Sequence, residues 1–208
     1  MTKRFLILLG LIFMAASAHA GYLAVGESGE LVPENTYRAG VAPEFIFNEG
    51  GGTNIDALLD YGYNDSTSFR VQAGAGKVDF HMGAGVKYVP FPDVDNQPAI
   101  GVKGSVWYAR YQDDNIFTVQ VAPLVSRKVQ TEQGQFVPYA AIPINFNSGS
   151  HHNDTGSQFA LGSDWQNPDW PNVFFNADLA LNMSHSFSAL TLSASFPFDA
   201  EKGFKRRK

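Results

Sequence analysis

Beyond Asn35 the chain settles into segments in which apolar and polar residues alternate one by one, the period of a strand and not of a helix. The clearest runs from Val173 to Met183. Val173, Phe175, Ala177, Leu179, Leu181 and Met183 share one face, and Phe174, Asn176, Asp178, Ala180 and Asn182 share the other. The next segment repeats it, with Leu190, Leu192, Ala194, Phe196 and Phe198 opposed to Ala189, Thr191, Ser193 and Ser195. Ten such segments are expected, at about 36–48, 53–64, 68–77, 79–91, 98–112, 115–129, 135–147, 157–166, 173–184 and 186–199. Turn chemistry separates them: Glu49-Gly50-Gly51-Gly52, Asp65-Ser66, Asp93-Val94-Asp95-Asn96, Asp113-Asp114-Asn115, Glu132-Gln133-Gly134 and a 148–156 loop. Near Gly76-Lys77 the apolar face changes parity, from Phe69, Val71 and Ala73 to Phe80, Met82 and Ala84. A single strand does not switch faces without a bulge, so a tight hairpin is expected there. The predicted fold is all-β, an up-and-down antiparallel barrel of about ten strands, with eight as the other count.

Alternation alone does not say which face points outward. The polar face collects Arg38, Glu44, Asp56, Asp60, Arg70, Gln72, His81, Lys87, Lys103, Gln120, Asn145, Asp164, Asn176 and Asp178, interleaved with Gly40, Gly62, Gly74, Gly76, Gly83, Gly85, Gly101 and Gly162. Glycine within a strand is costly and marks close approach. Beside long charged side chains it suits a cramped lumen, whereas a solvated surface gains nothing from it. The apolar face ends in aromatics: Phe45, Phe47, Tyr61, Tyr63, Tyr88, Tyr108, Trp165 and Phe198. Aromatic girdles bounding an apolar band belong to transmembrane barrels, and the segments match the ~9–11 residues that a tilted strand needs to cross. The opposite assignment, an apolar interior, would make a soluble periplasmic lipid-binding barrel.

The N-terminus supplies the export. Met1–Ala20 has Lys3 and Arg4, an apolar run from Phe5 to Ala16, and Ala18-His19-Ala20 at its end, which reads as a cleavable secretory signal. That run is too short to span a ~30 Å hydrocarbon core as a helix. Residues 21–35 lack a period and read as a lead-in, mobile or docked in the lumen; 36–199 form the barrel, and 200–208 a basic tail ending in Lys205-Arg206-Arg207-Lys208. Losing Lys3 and Arg4 with the signal takes the formal charge from −5 to −7, so no nucleic-acid partner is expected. The chain has no cysteine, which removes disulfides and a lipoprotein anchor; stability must come from a core, a closed sheet or a membrane.

In its signal, its dyad alternation over about residues 36–199, its lack of cysteine and its alternating last strand (Leu190–Phe198), the chain resembles small bacterial outer-membrane β-barrel proteins. The resemblance implies a Gram-negative outer-membrane location, lipid and the outer-membrane insertion machinery as partners, and a terminal strand read as the assembly signal. This chain departs from the usual form in that Asp199–Lys208 follow that strand. A monomer is expected.

The candidate site is the lumen charge set Arg38, Glu44, Asp56, Asp60, Arg70, Lys87, Lys103, Asp164 and Asp178. It reads either as the lining of a narrow, porin-like conduit or as a paired network that plugs the barrel. Ten strands enclose little more than side chains, which favours the plug, and buried charges must be paired or wetted. An integral barrel with a structural or surface role and at most narrow conductance follows. Catalysis would fall to Ser184, His185 and Ser186 on an outer turn, because lipid-modifying outer-membrane barrels place Ser and His near that rim; a Ser-rich turn is the ordinary reading, and no enzyme is expected. His151-His152-Asn153-Asp154 offers adjacent ligands with poor shared geometry, and Asp113-Asp114 lacks a matching Asp–His pair. Neither a metal nor a cofactor is expected, and no P-loop, dinucleotide fingerprint or HExxH occurs.

Overall fold

The computed structural model describes residues 26–94, 97–111, 114–149, 153–199 and 203–204. The signal (1–20), the basic cluster 205–208, the His151-His152 pair and Asp113 lie outside that set. The strands are β1 (Tyr37–Ile46), β2 (Gly52–Asn64), β3 (Thr67–Gly76), β4 (Phe80–Phe91), β5 (Ala99–Tyr111), β6 (Asp114–Ser126), β7 (Val129–Thr131), β8 (Gly134–Ala141), β9 (Ile144–Gly149), β10 (Asn153–Gln166), β11 (Phe174–Ser184), β12 (Ala189–Asp199) and the short β13 (Gly203–Phe204). No helix occurs among the described residues.

These strands make ten staves of a closed antiparallel barrel, because β1 pairs with both β2 and β12. Two staves are each written in two pieces. β6 and β7 share one register against the next stave, with Leu124 opposite Ala141 and Thr131 opposite Gly134, and Arg127 N donates to Pro138 O between them. β8 and β9 likewise keep one register against β10, from Trp165 opposite Phe136 to Asn153 opposite Ser148. The gap falls at Ile142-Pro143. Proline has no N–H to give to the ladder, yet Pro143 O still accepts Gln158 N at 3.0 Å and Ile142 N reaches Pro123 O at 3.1 Å, so the stave continues through the break.

The connection after Gly76 is the expected hairpin: β3 ends there at φ +149° and Asn54 Oδ1 accepts Val78 N at 2.9 Å. Two expected boundaries are corrected. The eighth segment starts at Asn153, not 157, because Asn153–Ser157 pair with β9 and Asn147 Nδ2 donates to Asp154 at 2.6 Å. That shortens the 148–156 loop to the connection between Gly149 and Asn153. The tenth starts at Ala189, not 186, because Phe187 turns inward and is 2% exposed. The outer strand termini, Tyr37 of β1 and Asp199 of β12, lie at the same end of the barrel, as an even number of antiparallel staves requires.

Burial is inverted relative to a soluble barrel. Along β2, Asn54, Asp56, Leu58 and Asp60 are buried, while Ile55 and Leu59 face outward, Ile55 at 65% exposure. On β11 Asp178 and Ala180 are buried and Leu179, Leu181 and Met183 are exposed. The outer wall continues through Val41, Val71, Met82, Val106, Val119, Leu161 and Leu192. Aromatic rings gather at the end that carries the termini: Tyr37 lies 4.9 Å from Tyr61 and 5.5 Å from Phe198, and Trp165 lies between Phe136 and Phe175. A soluble lipid carrier needs an apolar interior, and this interior is polar. Among the described residues, the larger apolar cluster inside the wall, Ile46, Val78, Trp107, Ala109, Ala180, Phe187 and Ala189, fills the far end of the lumen beneath the β11–β12 turn.

Candidate functional site: the charged lumen and the segment inside it

Register decides which lumen charges meet. Across β1, β2 and β3, Arg38 is opposite Asp60 and Asp60 is opposite Arg70. Asp60 therefore serves both guanidinium groups, with Arg38 Nη2 at 2.9 Å from Oδ2 and Arg70 Nε at 2.6 Å from Oδ1. Lys87 on β4 is directly opposite Lys103 on β5. Like charges facing each other destabilise a ladder, so a further anion is needed.

That anion is Glu27, which lies outside every strand. Its Oε2 is 2.9 Å from Lys87 Nζ and 3.7 Å from Arg70 Nη2, and its Oε1 is 3.0 Å from Lys103 Nζ. Burial by itself pushes the Glu27 carboxyl up, but Arg70, Lys87 and Lys103 together hold it well below the usual carboxylate range. The neighbouring residues are fixed by the wall on several sides. Lys87 Nζ donates to the carbonyls of Ser28 (2.8 Å) and Glu30 (2.6 Å), Gly29 N donates to Ser126 Oγ (3.0 Å), and Ser28 Oγ donates to Asp164 Oδ2 (2.5 Å). Near the mouth, a Cβ at Gly62 would lie 2.1 Å from the Pro33 carbonyl, so the glycine is what admits the passing backbone. Residues 26–33 thus run inside the barrel, in the half that opens toward the termini.

The remaining charges form smaller groups. Asp164 Oδ1 accepts Asn176 Nδ2 at 2.7 Å, and Asp178 Oδ1 accepts the Tyr139 hydroxyl at 2.6 Å. Glu44 Oε2 accepts Asn54 Nδ2 at 2.5 Å. Asp56 Oδ1 lies 2.5 Å from His81 Nε2 and accepts Gln72 Nε2 at 3.0 Å. Glycines make these reaches possible: Gly74 stands between Asp56 and His81 in the ladder, and Gly162 between Tyr139 and Asp178. A Cβ would lie 2.3 Å from His81 Nε2 at the first and 2.4 Å from the Tyr139 hydroxyl at the second. Beyond these, Gln120 Nε2 donates to Asn145 Oδ1 and Asn145 Nδ2 to Ser186 Oγ, so amides continue the polar filling toward the far end.

Of the nine expected lumen residues, Arg38, Asp60, Arg70, Lys87 and Lys103 come together around Glu27. Asp164 meets the same segment through Ser28, while Glu44 bonds to Asn54, Asp56 to Gln72 and His81, and Asp178 to Tyr139. Sequence reasoning did not single out Glu27. The facing lysines were its one available signal, and they are visible only once register is known.

On the outer turn, Ser184 Oγ lies 2.9 Å from His185 Nδ1, both exposed, with His185 at φ +42°. Ser186 is buried in the amide chain. Among the described residues, no group of three His, Asp or Glu is placed to hold a metal ion.

The fold is a closed antiparallel β-barrel of ten staves with an apolar exterior and a polar, charged interior. No protein-family model matches the chain, and no curated protein matches it in sequence. Among solved structures it is similar to the translocator domain of the autotransporter NalP from Neisseria meningitidis, at 8% identity over 94% of this chain and 93% of that one, with a TM-score of 0.47. It is similar to a de novo designed transmembrane β-barrel at 11% identity, over 81% of this chain and 99% of the design, TM-score 0.41. Ail, the attachment invasion locus protein of Yersinia pestis, matches at 12% identity over 79% of this chain and 99% of that one, TM-score 0.27.

Proposed function

We propose that this protein is a monomeric, integral β-barrel of the Gram-negative outer membrane whose lumen is closed by its own residues 26–33. Its role is structural or surface-exposed, with at most narrow solute conductance. The observation that carries this reading is Glu27 seated on Lys87, Lys103 and Arg70 inside a wall with an apolar exterior. Membrane lipid is the partner of that exterior, and the insertion machinery the partner of the last strand; Met1–Ala20 provides the route there. The reading is non-enzymatic: Ser184 and His185 are sequence neighbours on an exposed turn, and Ser186 is engaged with Asn145. Catalysis needs a base and nucleophile oriented around a substrate position.

Membrane fractionation with heat-modifiable gel migration tests the location. The protein is expected in the outer-membrane fraction, with a folded band that shifts on boiling; recovery without detergent as a soluble protein overturns the reading. In planar bilayers the folded chain should give no large, regular current steps. Sustained open-pore currents would contradict closure while leaving the barrel intact.

A further inference from the structure

We infer that the Arg70, Lys87 and Lys103 cluster is a binding site for a small oxyanion, a carboxylate or phosphate solute, and that Glu27 occupies it as a tethered competitor. This rests on the closed lumen proposed above. Three neighbouring strands each contribute one cation, and the strand pairing itself brings Lys87 against Lys103. Of the wall carboxylates, Asp60 is shared between Arg38 and Arg70, while Asp164 and Asp178 are hydrogen-bonded to Ser28, Asn176 and Tyr139 and act on Arg70 and Lys103 from further off. The four wall cations Arg38, Arg70, Lys87 and Lys103 thus face three wall carboxylates, and the added carboxylate of Glu27 bridges Arg70, Lys87 and Lys103 through its two oxygens. That bridging by two oxygens is the geometry by which cationic side chains recognise carboxylate and phosphate. Lys87 adds the Ser28 and Glu30 carbonyls to its contacts, again oxygen acceptors.

The competitor is on a short tether. Pro33, Glu34 and Asn35 are exposed and lead straight into β1. A cavity of about 420 Å³ opens at that mouth, lined by Glu30, Val32, Arg38, Asp164, Trp165 and Phe174 among others. A solute arriving from the side of the termini meets Arg38 first and the three-cation cluster behind it.

The test uses the full chain with a protease site inserted between exposed Glu34 and Asn35, cut only after the barrel has folded. Release of the cut segment is followed by mass spectrometry in inorganic phosphate and in chloride at equal ionic strength. Phosphate is expected to release it several-fold more effectively, and Lys87→Gln with Lys103→Gln to abolish the difference between the salts. The emptied barrel in planar bilayers should be anion-selective, with currents that phosphate reduces. Equal release in both salts, a segment retained in both, or an emptied barrel that prefers cations or ignores phosphate would each overturn the inference. The two readings fail separately: an uncut chain that conducts freely contradicts closure, whereas a silent uncut chain with phosphate-indifferent release contradicts only the oxyanion site.

Discussion

Lys87 and Lys103 face each other across β4 and β5 with the Glu27 carboxylate between them. Removing one partner of a buried ionic cluster leaves the others uncompensated, a cost on the order of 3–5 kcal/mol. Glu27→Gln should therefore loosen the docked segment severely, read as cleavage within residues 26–32 by added protease at concentrations that spare the wild type. The pH dependence has a definite sign. Glu27 holds its proton less readily when docked than when free, so its contribution is complete above about pH 4.5 and is lost as pH falls through the lowered docked value. The segment should stay protected at pH 5 and become protease-sensitive only in stronger acid; release on moving from pH 7 to 5.5 would contradict the assignment. Arg70 and Asp60 offer a second check. Neutralising Arg70 alone should destabilise the barrel more than neutralising both, a non-additivity that a double-mutant cycle in urea measures directly.

At the scale of elements, the wall works because inward glycines let side chains on flanking strands touch. Gly162→Ala would drive a methyl into the Tyr139 ring and hydroxyl and break the bond to Asp178. A buried group left unsatisfied costs about 1–3 kcal/mol, so the variant should unfold at lower urea than one altered at outward-facing Ala177, while remaining a barrel. The strands themselves were legible in the sequence, because a period-2 face such as Leu179-Leu181-Met183 needs no tertiary information. The parity switch at Gly76-Lys77 was legible for the same reason. Boundaries at Asn153 and Ala189 were not: Asn153-Asp154-Thr155-Gly156 has turn chemistry, but pairing to β9 overrides it, and Phe187 leaves the alternation to fill the far end of the lumen. The sequence puts Arg38 and Arg70 on one face with both Asp56 and Asp60, and only the register selects Asp60 as their shared partner. Glu27 did not, since an aperiodic segment some 60 residues before Lys87 carries no local sign of what it meets.

For the whole molecule, the proposed membrane barrel turns its apolar face to lipid and its charges to a lumen that residues 26–33 enter. Arg in place of Leu179 or Leu192, both on the outer wall, should cost about 2–4 kcal/mol near mid-membrane, measured by reversible unfolding in lipid vesicles. The most direct single measurement follows spin labels along β11 in such vesicles. The chain has no cysteine, so one cysteine at a time can be introduced and labelled at residues 177–183. Oxygen, which concentrates in the bilayer, should reach labels at Ala177, Leu179, Leu181 and Met183 and be excluded from those at Asp178, Ala180 and Asn182, giving a sawtooth of period two. The same sawtooth with its phase reversed, or uniform access to a water-soluble relaxant along the whole strand, would contradict the account.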